Sequence, residues 1–84
     1  MANNLIKLTF KNDIEGVKQF IAKGKDINMQ DKDGKTALMH TILYYCPEVA
    51  KLLIEAGAVL DIQDKFGDTA LMLASSFNYV EIAK

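Results

Sequence analysis

The sequence predicts an all-α solenoid of about two and a half helix-turn-helix repeats, joined by short β-turn fingers. The first observation is internal repetition: residues 31–51 and 64–84 align without a gap at an offset of 33 and share 10 of 21 residues. The second is a weaker third copy, found by shifting back by the same 33. A fixed period of this size indicates short units that stack on one another. The identities of the third copy are Lys18 with Lys51, Gly24 with Gly57, Gln30 with Gln63 and Asp31 with Asp64.

Length and composition allow one domain, residues 1–84, and exclude several classes of protein. Half of the residues are hydrophobic and a quarter are charged, which is typical of a folded chain. The net charge is −1 without a block of like charge, so no clustered basic face for nucleic acid is predicted. Cys46 is the single cysteine, which excludes an internal disulfide and favours a reducing compartment.

Neither a signal peptide nor a membrane span is predicted. The charged residues Lys7, Lys11 and Asp13 interrupt the N-terminal region, which therefore lacks the apolar core of a signal peptide. No apolar run approaches the roughly 20 residues that cross a bilayer. We therefore expect a cytoplasmic, intracellular protein without membrane contact.

The first repeat predicts two helices separated by a tight turn. The first helix is predicted over residues 3–11, and Asn12 follows where a left-handed turn is expected, a conformation that Asn tolerates. Asp13 is placed to cap the second helix, and Gly24 is placed to end it.

The second repeat follows the same plan with two unusual residues at its turn. Gly34 is expected to supply positive φ in a β-hairpin-like finger over residues 25–35, and Thr36 to cap the next helix. Tyr45 then occupies the turn position of Asn12. Either the turn keeps its left-handed geometry, with strain of about 1 kcal/mol at Tyr45, or the turn has been rebuilt. Pro47 suits the first position of the following helix. Three apolar residues of that helix are expected to be buried: Val49, Leu52 and Leu53.

The third repeat is predicted to be incomplete. A finger over residues 58–68 leads to a helix from Thr69, in which Leu71, Met72 and Ala74 are expected to face inward. A second helix begins at Val80 and has no counterpart of the apolar residues that complete the previous repeat. We therefore expect a truncated piece of a longer array, lacking the polar terminal repeat that solenoids use for solubility.

The repeated pattern, DxxGxTALM followed by an apolar helix and then EVAKLLIEAGAVLD, resembles the ankyrin repeat family. That family has a 33-residue period, a β-turn finger and two antiparallel helices, with the signature T-P-L-H-x-A. The resemblance covers essentially the whole chain and implies repeats over about 1–30, 31–63 and 64–84. The chain departs from the signature at its proline position, Ala37 and Ala70, and at its histidine position, Met39 and Met72.

Residues with catalytic potential are few. His40 and Cys46 form a formal Cys/His pair, but the family resemblance places His40 at a packing position, and nothing nearby favours a thiolate at Cys46. A calcium loop needs acidic residues before its glycine, yet the first ligand positions counted back from Gly34 and Gly67 are apolar. We therefore expect no enzyme activity, no cofactor and no bound metal.

The resemblance implies that a protein partner binds the concave side, at the finger tips and the exposed edge of each first helix. Exposed aromatic residues on that face would suit an interface, with lysines and aspartates as a mixed rim. Matching the motif position by position predicts ten partner-binding residues: Lys32, Asp33, Lys35, Leu43, Tyr44, Lys65, Phe66, Asp68, Ser76 and Phe77. Phe10 and Lys11 occupy the same edge in the first repeat.

Three hypotheses for function remain. The leading one is a non-catalytic protein–protein interaction module whose partner is another protein. The second is a truncated fragment that self-associates through residues 69–84, burying Leu71, Leu73, Val80 and Ile82 against a second copy. The third is a piece of an enzyme or toxin whose catalytic domain lies elsewhere in a longer chain.

Overall fold

A computed structural model describes residues 4–76, with side chains described from residue 5 onward. Within that range all regular secondary structure is helical. The five helices are α1 (Asn4–Phe10), α2 (Ile14–Ala22), α3 (Ala37–Leu43), α4 (Pro47–Glu55) and α5 (Ala70–Ser76).

The helices form two adjoining rows. Within a repeat, α1 packs on α2 and α3 packs on α4, and between repeats α1, α3 and α5 follow one another in one row while α2 and α4 form the other. Each unit therefore contacts its neighbours in the chain, as in a solenoid. The predicted all-α solenoid of helix-turn-helix units is confirmed.

The turns between paired helices are left-handed, as predicted for Asn12 and as one of the two alternatives for Tyr45. Asn12 and Tyr45, which are 33 residues apart, both have φ of 53°. The turns carry matching hydrogen bonds, since the amide of Asp13 donates to the Leu8 carbonyl and the amide of Cys46 to the Thr41 carbonyl. The tyrosine has not changed the turn, so its strain is retained.

Side-chain caps and a proline fix where the helices begin. The Asp13 carboxylate accepts from the amide of Gly16 at 2.9 Å, and the Thr36 hydroxyl accepts from the amide of Met39 at 3.3 Å. Pro47 is the first residue of α4. Each satisfies or removes an amide that the helix itself leaves unpaired. These predictions from the sequence are confirmed.

The core lies between the two rows of helices. Its largest fully buried aliphatic side chains come from four helices, and Val49 and Leu53 of α4 are both at 0% exposure. Leu52, also expected in the core, is only half-buried and packs at its margin. The fully buried aliphatic residues are Leu5, Val17, Leu38, Ile42, Val49 and Leu53.

The prediction that Leu71 and Met72 face inward is wrong. They are 46% and 50% exposed, whereas their counterparts Leu38 and Met39 in α3 are each 1% exposed. The reason is position in the stack: α3 lies between α1 and α5, but among the described helices α5 packs chiefly on α3. Ala74 is buried as expected. The residues predicted to follow, Phe77, Val80 and Ile82, lie outside the described residues.

Candidate partner-binding face

Asp31 organises the first finger and ties it to helix α3. One of its carboxylate oxygens accepts from the amides of Asp33 and Lys35, both at 2.9 Å. The other lies 2.9 Å from Nε2 of His40. Because an ionised carboxylate only accepts, Nε2 is the donor. The finger is therefore fastened to the helix by a buried ring and not only by its own turn.

Asp64 accepts the equivalent backbone hydrogen bonds in the second finger, but its side-chain partner is different. One oxygen accepts from the amides of Phe66 and Asp68 at 2.9 Å, and the other accepts from Nζ of Lys35 at 2.6 Å. The counterpart of His40 in this repeat is Leu73, which offers no donor. A lysine from the preceding finger therefore occupies the oxygen that histidine would otherwise bind.

The two aspartates are held ionised by these contacts. The Lys35 ammonium and two backbone amides lower the pKa of Asp64 below its ordinary value, against the opposing effect of burial. Burial is the largest single influence on the pKa of Asp31 and raises it. The hydrogen bonds from His40 and two backbone amides together outweigh burial, so the pKa of Asp31 lies below its ordinary value. In return, the hydrogen bond to Asp64 raises the pKa of Lys35. Charge-assisted bonds of this kind stabilise the ionised form.

Further bonds join the two fingers to each other. The side-chain nitrogen Nε2 of Gln30 donates to the Gly34 carbonyl at 2.8 Å and to the Gln63 carbonyl at 3.0 Å. The amide of Lys65 donates to the Asp33 carbonyl at 3.0 Å, and its ammonium lies 2.9 Å from the Asp33 carboxylate. Backbone and side chain thus hold the fingers in one fixed register.

Phe66 is at the tip of the second finger and is flanked by two cations. Its side chain is 68% exposed, and the ammonium groups of Lys35 and Lys65 lie 5.2 and 5.3 Å from its ring centroid. Both distances fall within the range of cation–π attraction. We call this group, with Asp33 and Asp64, the finger cluster.

A second group of rings lines the exposed edge of α1 and α3. Phe10 is 54% and Tyr44 61% exposed, and their centroids are 5.3 Å apart in an edge-to-face arrangement. His40 lies beneath them, with centroids 5.0 Å from Phe10 and 6.0 Å from Tyr44. We call Phe10, His40 and Tyr44 the aromatic edge. Since His40 also binds Asp31, the edge is connected to the fingers.

The structure brings some of the predicted partner-binding residues together and leaves others apart. Asp33, Lys35, Lys65 and Phe66 meet in the finger cluster, and Tyr44 belongs to the aromatic edge. Within residues 5–76, Lys32, Leu43, Asp68 and Ser76 take part in no ring contact or ion pair of either group; Phe77 lies outside the described residues. Lys32, Tyr44, Lys65, Phe66 and Ser76 are exposed, and Asp33, Lys35, Leu43 and Asp68 are half-buried.

Asp31 and Asp64, which hold this face in place, are not among the residues predicted from the sequence to bind a partner. The sequence gives no reason to single out Asp31 and Asp64 beyond their recurrence, and the family resemblance places His40 at a packing position. The available signal was that both aspartates recur at the 33-residue period while the residue nine positions later changes from His40 to Leu73. Without a histidine in the third repeat, the second carboxylate oxygen of Asp64 needs a hydrogen bond from another donor.

The arrangement offers little for bond-making chemistry. His40 is 6% exposed and its Nε2 is committed to Asp31. Cys46 is buried, and burial raises the pKa of its thiol. Among the described residues no group of three or more His, Cys, Asp or Glu is placed to hold a metal ion. In the same part of the chain, no helix is both long and apolar enough to cross a membrane.

Comparison with known proteins identifies the family. The family described as "Ankyrin repeats (3 copies)" matches residues 5–84. The chain is also 36% identical over 77 residues to the putative ankyrin repeat protein R664 of Acanthamoeba polyphaga mimivirus. That match covers 92% of this chain but 48% of the relative, so the chain spans about half the length of the curated relative it matches.

The chain belongs to the ankyrin repeat family. Ankyrin repeats generally mediate protein–protein interaction, and the family is typically non-catalytic.

Proposed function

We propose that this chain is a non-catalytic module that binds another protein on its concave face, through the finger cluster and the aromatic edge. The observation that carries the proposal is the set of three large rings, Phe10, Tyr44 and Phe66, each more than half exposed yet each held by specific contacts. Single exposed aromatics are common on protein surfaces. Three that are oriented by their neighbours favour a binding face.

Fixed rings favour binding because they have little conformational freedom left to lose. Edge-to-face contact orients Phe10 against Tyr44, and two ammonium groups flank Phe66. A preorganised aromatic side chain costs less entropy to immobilise than a mobile one. Burying one such ring centrally in an interface contributes about 2 kcal/mol or more to binding.

The charged residues of the face suit a role in selectivity. Asp33 and Lys65 pair with each other at 2.9 Å and are partly exposed, so a partner would meet a mixed rim. Rim charges chiefly change association rate and partner choice and contribute less to affinity. Lys35 differs because its ammonium pairs with Asp64. We therefore assign it to stabilising the finger and not primarily to contacting a partner.

The experiment is a pull-down from lysate of the native organism with three forms of the chain, each checked by circular dichroism. One form is unchanged, one carries Tyr44→Ala and Phe66→Ala, and the matched control carries Glu48→Ala and Lys51→Ala on the exposed side of α4. In a separate comparison, Phe77→Ala added to the aromatic variant tests the remaining predicted ring. We expect a protein that the unchanged chain and the control capture and the aromatic variant loses. Equal capture by all three forms would contradict the proposed face.

A second candidate function is self-association through residues 69–84. The observation that favours it is the exposure of Leu71 and Met72, whose counterparts in α3 are fully covered. A second copy stacked on α5 would cover them as α5 covers α3. Sedimentation at increasing concentration tests this: association that Leu71→Ser and Met72→Ser abolish supports it, and a monomer at all concentrations rules it out.

A further inference from the structure

A groove of about 620 Å³ runs between helix α1 and the first finger. Ile6, Lys7 and Phe10 line it from α1, and Met29, Asp31 and Lys32 line it from the finger. Its volume is within the range of about 300–1,000 Å³ that is usual for ligand-binding clefts. It adjoins the aromatic edge, because Phe10 belongs to both.

Both walls of the groove are fixed. Phe10 is oriented by His40 and Tyr44 at ring distances of 5.0 and 5.3 Å. On the finger side, Asp31 is bonded to two backbone amides and to His40. Ile6 is 6% exposed, whereas Phe10 and Met29 are 54% and 42% exposed. The groove is therefore a preformed apolar cleft with partly uncovered sides.

Positively charged side chains outnumber negatively charged ones among the described residues that line the groove. Among the described residues that line it, one carries a carboxylate, Asp31, and both of its oxygens accept hydrogen bonds from the chain itself. Lys7 and Lys32, one from each wall, are exposed and form no ion pair within the described residues. Because Lys7 and Lys32 outnumber the ionised carboxylate of Asp31, the described lining carries a net positive charge beside apolar surface. The groove therefore favours a ligand that carries negative charge next to an apolar group.

We propose that this groove binds an acidic peptide segment that carries one large apolar side chain. The inference rests on the proposed function and specifies the chemistry of the partner. The apolar side chain packs against Phe10 and Met29, and flanking carboxylates pair with Lys7 and Lys32. A basic segment would face two lysines without a free acceptor, and a small anion would leave the apolar walls uncovered.

The test uses fluorescein-labelled peptides and fluorescence anisotropy. The probe has one phenylalanine flanked on each side by Glu and Asp; one control peptide replaces phenylalanine with alanine, and another replaces the acidic residues with lysine. We expect the probe to bind about tenfold more tightly than the alanine peptide, because the ring is buried. We also expect it to bind more tightly than the lysine peptide, and more weakly as salt is raised above ~0.1 M.

Charge reversal of the groove provides the decisive variant. Lys7→Glu with Lys32→Glu alters only exposed side chains and is expected to weaken the probe about tenfold. A single reversal, Lys51→Glu on α4, changes an exposed lysine away from the groove and is expected to leave binding unchanged. Phe10→Ala is expected to weaken the probe as well, with its fold checked by circular dichroism.

The outcomes separate this inference from the proposed function. Absence of probe binding, preference for the lysine peptide, or equal binding to the charge-reversed chain would each overturn the groove assignment. If the pull-down partner is still lost on Tyr44→Ala with Phe66→Ala, the binding face stands while the acidic-peptide inference falls.

Discussion

Replacing Tyr45 with asparagine is expected to stabilise the protein. The residue has φ of 53°, a conformation that costs a non-glycine residue about 1–2 kcal/mol and that asparagine adopts more readily. Its side chain is 73% exposed, so little buried surface is lost on substitution. Asn12 shows that asparagine fits the same turn with the same φ.

The net gain is expected to be about 0.5–1 kcal/mol in the free energy of unfolding. Asparagine is the better test than glycine, because glycine relieves the strain but also increases the freedom of the unfolded chain by about 0.4–1 kcal/mol. Urea unfolding followed by circular dichroism measures the effect. With a slope of about 1 kcal/mol/M for a small domain, the midpoint of urea unfolding is expected to rise by about 0.5–1 M.

The reciprocal substitution is the control. Asn12→Tyr places the same residue in the equivalent turn and is expected to lower the midpoint by a similar amount. A fall in the midpoint for Tyr45→Asn would refute the reasoning, since it would mean that contacts of the tyrosine ring outweigh the backbone strain.

Three further predictions concern the core, the finger and acid stability. Leu53→Ala is expected to cost about 2–5 kcal/mol, because the side chain is fully buried; a loss below about 0.5 kcal/mol in urea unfolding would contradict its place in the core. Gly34→Ala is expected to lower the melting temperature more than Gly24→Ala: both have positive φ, but only the first would bring Cβ to 2.9 Å from the backbone of Lys65. Asp64 has a lowered pKa in the folded state, so its stabilisation is present above the ordinary value of 3.8 and is lost as pH falls through the lower folded value. We therefore expect the melting temperature of Asp64→Asn to fall less between about pH 5 and pH 2 than that of the unchanged chain. An equal fall in the two proteins would contradict this prediction.

The period of the sequence was sufficient to predict the solenoid and its turns. A repeat of 33 residues aligns Tyr45 with Asn12, so the geometry expected for one turn applied to the other. It also aligns Thr36, the predicted cap of α3, with Thr69, and each hydroxyl accepts from the amide three residues later. Local chemistry and periodicity agree at these positions, which is why prediction succeeded.

The same alignment gave a wrong prediction of burial for Leu71 and Met72, and the reason is physical. Periodicity gives the direction in which a side chain points within its own repeat, but burial depends on what the neighbouring repeat supplies. The residues of α3 have described neighbours on two sides, whereas those of α5 have α3 on one. The same leucine and methionine at equivalent positions of α3 and α5 therefore differ from 1% to about half exposed.

Only part of the candidate site was predictable. Exposed rings at Tyr44 and Phe66 follow from alignment with the charged residues Lys11 and Asp33. The contact of Phe66 with two lysines, and the bond between Lys35 and Asp64, depend on how adjacent fingers stack. Those contacts join residues that no single repeat brings together.

The most direct measurement of the central claim is calorimetric titration of the captured partner into three forms of the chain: unchanged, Tyr44→Ala with Phe66→Ala, and Glu48→Ala with Lys51→Ala. We predict that the aromatic variant loses about 30-fold or more in affinity and that the α4 variant binds like the unchanged chain. Equal affinity for the aromatic variant, or a loss confined to the α4 variant, would place the binding surface elsewhere and contradict the account.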